Sequence, residues 1–168
     1  MTINEELKKK YPWKVQWTNR AFEASKFIPE YSSVVDLGGG MGGIYNYLKT
    51  SRYLSIDLEK WNDHTVKADF NKGQFPDFGL IKRQFVICLG TLEYIENPEE
   101  FLSKIDKYAN RFILTYRRNT KGGMERKNNM EFEELRELLL KTNWEIVVEK
   151  KIRYGDRLFF CKKIYGKD

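Results

Sequence analysis

Histidine and cysteine are nearly absent from this chain, which has one histidine, His64, and two cysteines, Cys88 and Cys161, in 168 residues. A zinc or other thiolate–imidazole centre takes three or four such ligands at set spacings, and no Cys-x-x-Cys pair exists here, so no metal site is expected. Both cysteines fall in apolar runs and read as reduced core residues with no disulfide between them. No apolar run approaches the roughly 18 residues that span a bilayer. The opening residues, Met1-Thr2-Ile3-Asn4-Glu5-Glu6-Leu7, are charged and carry no apolar signal core, so cytoplasm is the default location. A charge of one sign is also missing. The net charge of +6 and pI near 9.2 come from 30 basic residues dispersed among 24 acidic ones, the balance of a solvated surface rather than of a nucleic-acid patch.

Only one basic cluster stands out: Arg117, Arg118, Lys121, Arg126 and Lys127, with Gly122-Gly123 in its middle, which reads as a basic loop over 116–130. There are four prolines and no repeat, low-complexity tract or linker. Hydrophobic content of 41% with 15% aromatics suits an ordinary core, and the length suits one domain, 1–168, with a sheet enclosed between two helical layers.

Periodicity supplies the elements. A short polar helix over 2–10 precedes the interruption at Tyr11-Pro12-Trp13, and 18–28 reads as an amphipathic helix closed by Pro29. Strands are expected at 33–37, 53–57, 64–67, 84–89 and 111–115, with a short helix at 44–48 and a Pro98-initiated helix to about Tyr108. The stretch 131–142 has a strong apolar face of Phe132, Leu135, Leu138 and Leu139. Two strands, 144–153 and 157–164, follow and are joined by Tyr154-Gly155-Asp156. Such alternation predicts a mostly parallel α/β sheet with an antiparallel terminal element.

The segment Val34-Val35-Asp36-Leu37-Gly38-Gly39-Gly40-Met41-Gly42-Gly43 carries the chemistry. It joins a buried strand to five glycines in six positions, a turn costly to order unless something must approach its backbone closely. Gly38, Gly40 and Gly43 fit the dinucleotide spacing G-x-G-x-x-G. Asp36 speaks against that reading, because a carboxylate at the strand end repels the pyrophosphate that a dinucleotide brings there. A cofactor with an ammonium and a sulfonium instead of phosphates has the opposite need. With Asp36 included, D-x-G-x-G-x-G resembles the class I, Rossmann-like, S-adenosylmethionine-dependent methyltransferases.

That resemblance implies a three-layer α/β/α sandwich with a mostly parallel seven-stranded sheet and an antiparallel last strand inserted beside the fifth. It also implies S-adenosyl-L-methionine as cofactor and S-adenosyl-L-homocysteine as product. By the same resemblance Asp36, Gly38, Gly39, Gly40, Met41 and Gly42 line the cofactor, and Asp57 accepts the ribose hydroxyls beside Leu58. Asp69 and Phe70 take the adenine, and Leu89 and Gly90 lie at the end of the fourth strand. In Leu92-Glu93-Tyr94-Ile95 a tyrosine stands where many small-molecule members have histidine, so the family's usual general base is missing. Tyr94 and Tyr116 then become candidates for orienting an acceptor oxygen, and Glu93 for taking its proton. His64 lies away from the acceptor side and reads as a surface or cofactor-rim residue. Residues 1–17 form a candidate lid, with Tyr11 and Trp13 as acceptor contacts and Trp17 as a packing anchor.

No Asn-Pro-Pro-Tyr or Asp-Pro-Pro-Tyr tetrad follows the fourth strand, which argues against nucleic-acid amino methylation. The expected reaction is methylation of a hydroxyl on a small molecule or saccharide. Arg117 and Arg118 would suit an anionic acceptor such as a phosphorylated or nucleotide-linked sugar. RNA methylation and a non-catalytic, cofactor-binding partner subunit stay open, and a membrane span is not expected.

Overall fold

The computed structural model describes residues 14–50, 52–76, 83–118 and 126–165. Its elements are α1 (Lys14–Ser25), β1 (Val34–Leu37), β2 (Tyr53–Asp57), β3 (Thr65–Lys67), β4 (Arg83–Leu89), α2 (Pro98–Ile105), β5 (Ala109–Tyr116), α3 (Phe132–Lys141), β6 (Trp144–Lys151) and β7 (Arg157–Lys163). Seven strands form one sheet in the order β3-β2-β1-β4-β5-β7-β6. Pairings from β3 through β5 are parallel, and β7 runs antiparallel to both β5 and β6. This is the Rossmann-like three-layer α/β/α sheet that the sequence implied, with the antiparallel last strand inserted beside the fifth.

Strand alternation builds the two cores. Val35, Leu37, Val86, Cys88, Phe112 and Leu114 point to the face covered by Phe101, Leu102 and Ile105 of α2 and Leu135 and Leu139 of α3. Val34, Phe85, Ile87 and Ile113 point to the opposite face, covered by Ala21 and Ala24 of α1 and by Ile44. The central strands are apolar on both faces, as parallel strands between helices must be. Cys88 and Cys161 are buried free thiols.

Local chemistry sets the helix ends. At α2, Asn97 accepts the Glu100 N–H at 3.2 Å ahead of Pro98, and α3 opens on a reciprocal Glu131–Glu134 capping box. The expected helix at 18–28 lies instead at Lys14–Ser25, because Phe27 and Ile28 N–H already turn back onto the Ala24 and Ser25 carbonyls ahead of Pro29. Its first turn, Lys14 to Trp17, lacks the apolar period that would have announced it. α2 stops at Ile105 rather than near Tyr108, where Lys107 and Tyr108 N–H close tighter turns. Only a 3₁₀ segment, Gly43–Tyr47, follows the glycine turn. β6 ends at Lys151, two residues short of the expected 153, and Tyr154 then takes the left-handed φ of 66°. The expected helix at 2–10 lies outside the described residues. Among those described, no helix is long and apolar enough to cross a membrane.

The strand order reverses at β1, which leads to β2 on one side and is flanked by β4 on the other. In an open α/β sheet that switch point opens a crevice at the carboxyl ends of the strands.

Candidate functional site

Asp36 is the third residue of β1, and the parallel register sets it beside Ser55 of β2. Its carboxylate is 3% exposed; Oδ2 accepts the Tyr53 hydroxyl at 2.7 Å, while Oδ1 has no hydrogen-bond partner. The neighbouring Ser55 Oγ has none either. Burial pushes the Asp36 carboxyl up to about 7, the nearby Asp57 charge adds to this, and the Tyr53 hydroxyl opposes it. A buried acceptor without a donor is costly, and it marks the place where a ligand's donor would be stabilised most.

The glycine turn sits directly on this carboxylate. A Cβ on Gly39 would lie 2.4 Å from Ser55 Oγ and 2.8 Å from the Asp36 carboxyl carbon, so a side chain there has no room. Gly38, at φ 75°, would drive a Cβ to 1.9 Å from Thr91 Oγ1, binding the turn to the loop after β4. Gly40 and Gly43 differ: a Cβ there would meet nothing within 4 Å. The turn is thus packed on its protein side and open on the crevice side, with Met41 half-buried between.

Asp57 ends β2 on the far side of the turn. Its Oδ2 accepts the Gly40 N–H at 2.9 Å, and its Oδ1 accepts Glu59 N–H at 3.2 Å and Trp61 Nε1–H at 3.1 Å. The carboxylate is held by three donors at the rim, beside the exposed Leu58. Asp69 caps its own 3₁₀ turn through Asn71 N–H at 3.0 Å and lies 3.5 Å from Lys72 Nζ. Phe70 packs its ring among Phe75 and Phe101, with centroids 5.5 and 5.2 Å away. His64 is exposed and lies 5.4 Å from the Tyr45 ring.

Across the crevice, Leu89 ends β4 and Gly90 takes φ 77°. A Cβ on Gly90 would fall 1.9 Å from Arg20 Nη1, so the α1 guanidinium lies over this backbone. Arg20 is 6% exposed and pairs in fork fashion with Asp156, Nε to Oδ2 at 3.0 Å and Nη2 to Oδ1 at 2.8 Å. Its Nη1 is the guanidinium atom nearest the Gly90 backbone. The guanidinium also couples electrostatically to Glu93 and Tyr94. Sequence reasoning passed over Arg20 and Asp156. The signal available was a cation set directly before Ala21 on the apolar face of α1.

Glu93 is 1% exposed. Its Oε1 accepts the Arg117 N–H at 3.0 Å, its Oε2 is unpartnered, and its backbone carbonyl accepts Lys127 and Asn128 N–H. Burial raises its pKa, against the pull of Arg20. Tyr94 is half-buried next to it. Tyr116 donates its hydroxyl to Asn128 Oδ1 at 2.8 Å and accepts Met130 N–H at 2.7 Å, so this hydroxyl clasps the returning end of the basic loop. Asn128, another residue that pattern reading missed, donates to the Leu92 and Ile95 carbonyls at 2.7 and 2.8 Å. Arg117 Nε lies 3.5 Å from Asp156 Oδ1, and Arg118 pairs with Glu131. Tyr11 and Trp13 lie outside the described residues.

The strand ends therefore gather an unpaired buried carboxylate, an open glycine turn, a rim carboxylate, a buried guanidinium over Gly90 and a second buried carboxylate. By sequence the chain matches no family model and no curated protein. By structure it is similar to a SAM-dependent methyltransferase from Aquifex aeolicus, with a TM-score of 0.70 at 14% identity over 98% of this chain and 100% of that one. A chain of the Haloferax volcanii complex between the Trm112 methyltransferase activator and a methyltransferase superposes with a TM-score of 0.78 at 13% identity, over 98% and 97%. The Burkholderia thailandensis 1,6-didemethyltoxoflavin-N1-methyltransferase, solved with its substrate and S-adenosylhomocysteine, gives 0.71 at 16% identity over 96% and 86%. The fold is that of the class I methyltransferases.

Proposed function

We propose that this chain is an S-adenosylmethionine-dependent methyltransferase acting on a hydroxyl of a small molecule or sugar. The observation that carries the reading is the unpaired Asp36 Oδ1, buried against a glycine turn whose other side is open. An ammonium is the donor such an acceptor lacks, and a pyrophosphate is the group it would repel. The residues fit the cofactor on three further counts: Asp57 offers a rim carboxylate for ribose hydroxyls, a Cβ on Gly40 would meet nothing within 4 Å, and the Arg20 guanidinium over Gly90 offers a positive charge suited to a carboxylate. When bound, the cofactor supplies a methyl group already activated on sulfonium.

The chain's own residues then position and deprotonate the acceptor. Holding an oxygen about 3 to 3.5 Å from the carbon it attacks can lower such a barrier by about 7–11 kcal/mol. Tyr94 orients that oxygen beside Glu93. The unpartnered Glu93 Oε2 takes the hydroxyl proton, and its raised pKa brings it nearer the range useful for a base at neutral pH. Tyr116 shapes this side by holding the Met130 end of the loop.

Calorimetric titration tests the cofactor assignment: S-adenosylmethionine and S-adenosylhomocysteine should bind and NAD should not, and the reverse result would refute it. Release of S-adenosylhomocysteine with a hydroxyl acceptor separates an enzyme from a non-catalytic partner subunit. Tight, steeply salt-dependent binding of RNA would favour RNA methylation instead.

A further inference from the structure

A second cavity lies next to the crevice, between the end of β5, the start of α3 and the β6–β7 connection. It encloses about 340 Å³, within the range of small-molecule sites of about 300–1,000 Å³. Among the described residues four cations line it, Arg117, Arg118, Lys151 and Arg157, together with Phe132 and Tyr154. Among the described residues of its wall the one carboxylate is Asp156, which pairs with Arg20 at 2.8 Å and lies 3.5 Å from Arg117 Nε.

Register explains how the cations meet. Tyr116 of β5 pairs with Arg157 of β7, and Arg157 pairs with Lys151 of β6, so the latter two stand directly opposite each other on adjacent strands. Like charges in that relation repel and destabilise a sheet. Glu149 shares its carboxylate between Arg157 and Arg136, and Lys151 has no ion pair among the described residues. Arg118 pairs with Glu131 and Arg117 shares Asp156 with Arg20, so among the described residues Lys151 is the cation of this wall left without a carboxylate. The Arg157 guanidinium lies 4.0 Å from the Phe132 ring centroid, which fixes its plane at the cavity wall. At the mouth, Tyr154 is 50% exposed and held at φ 66°, a conformation that bulky residues rarely adopt.

The Arg20–Asp156 pair is the partition between this cavity and the crevice. Asp156 lines the cavity, while Arg20 reaches from it to lie over Gly90. Thr115 of β5, two residues before the lining residue Arg117, accepts the Gly90 N–H through its carbonyl, so the two spaces adjoin neighbouring strands, about 5 Å apart. We propose that this cavity is the anion subsite of the methyl acceptor, and that the acceptor is a small ring compound carrying a phosphate. The phosphate sits among Arg117, Lys151 and Arg157, and the ring rests on Tyr154. The assignment rests on the methyltransferase reading above.

The test is a nitrogen-15 NMR titration of the full chain, saturated with S-adenosylhomocysteine, using uridine 5′-monophosphate, uridine and inorganic phosphate as probes. Uridine 5′-monophosphate should bind at least about tenfold tighter than uridine, as charge-assisted bonds to a phosphate require, with shifts centred on Tyr154 to Arg157 and Arg117. K151Q with R157Q should weaken it by about tenfold or more and leave S-adenosylhomocysteine affinity unchanged. Y154G should weaken the nucleotide but not inorganic phosphate. Melting curves confirm that the variants are folded. Equal binding of uridine and its monophosphate, an unchanged K151Q/R157Q variant, or shifts centred elsewhere would overturn the subsite. So would a short RNA that binds these residues far more tightly and with steep salt dependence. If S-adenosylhomocysteine fails to bind while the nucleotide still occupies the cavity, the methyltransferase reading falls, and the acceptor role with it. If the cofactor binds and the nucleotide does not, only the subsite falls.

Discussion

Cofactor affinity should depend on pH through one residue, Asp36. Its carboxyl titrates near 7 in the free protein, because burial disfavours the charge more than the Tyr53 hydroxyl favours it. A ligand ammonium pairs only with the ionised form. With a midpoint of about 7, roughly one molecule in eleven is ionised at pH 6 and ten in eleven at pH 8, so affinity should rise about tenfold between them, about 1.4 kcal/mol. Binding pulls the carboxyl down and releases a proton, close to one per site at pH 6 and close to none at pH 8. The free protein shows the opposite slope. Its folded carboxyl holds a proton over about pH 4 to 7 that the unfolded chain, with a pKa near 3.9, has lost, so stability falls as pH rises through that window. Titration calorimetry with S-adenosylhomocysteine at pH 6, 7 and 8, in two buffers of different ionisation enthalpy, measures affinity and proton count together. Asp36→Asn should bind more weakly at pH 8, with both slopes gone. A flat affinity from pH 6 to 8 without proton release, or an unchanged slope in Asp36→Asn, would refute the reasoning.

Other perturbations report on the frame around that carboxylate. Gly90→Ala combines a strained positive φ, about 1–2 kcal/mol, with displacement of Arg20 Nη1, and the melting temperature should fall by roughly 5 °C or more. Asp156→Asn leaves the Arg20 guanidinium buried with only part of its partner and should cost about 3 kcal/mol, a fall of roughly 6–12 °C in a thermal melt. Tyr154→Gly should act in the other direction. It relieves about 1–2 kcal/mol of left-handed strain against about 0.5–1 kcal/mol of added backbone entropy, for a rise of up to about 6 °C by calorimetry; a fall would mean that the ring packs more than its exposure suggests.

Most of the fold was legible because it is written in short-range pattern. Apolar runs at 33–37, 84–89 and 111–115 announce strands buried on both faces, and Pro98 and the 131–142 stripe announce helices. The side proposed for the methyl donor was legible for a related reason. Asp36, the glycines and Asp57 lie at strand ends within 22 residues of one another, so one βαβ-like unit assembles them. Asp36 itself was read as a charge for the ligand, while its orphaned oxygen and its bond to Tyr53 follow from register, which spacing alone does not give.

The side proposed for the acceptor, and the wall between it and the crevice, was less legible because it is made by long-range contacts. Arg20 and Asp156 are 136 residues apart and meet only once α1 packs under the sheet and the β6–β7 turn folds back beside β5. Neither residue sits in a motif, and each has an ordinary local explanation, a helix cation and a turn carboxylate. Their joint burial changes that. A buried ion pair is weak evidence for stability, since apolar residues of similar volume would often do as well. What apolar residues would not provide is the rest of the geometry. Arg20 uses two nitrogens to hold Asp156 and leaves the third over Gly90, while Asp156 also faces Arg117 in the cationic cavity. A hydrocarbon wall would separate the two spaces equally well and present no donor to either. The charged wall divides them and gives each a fixed guanidinium, which is the arrangement expected where two charged ligands must be held side by side.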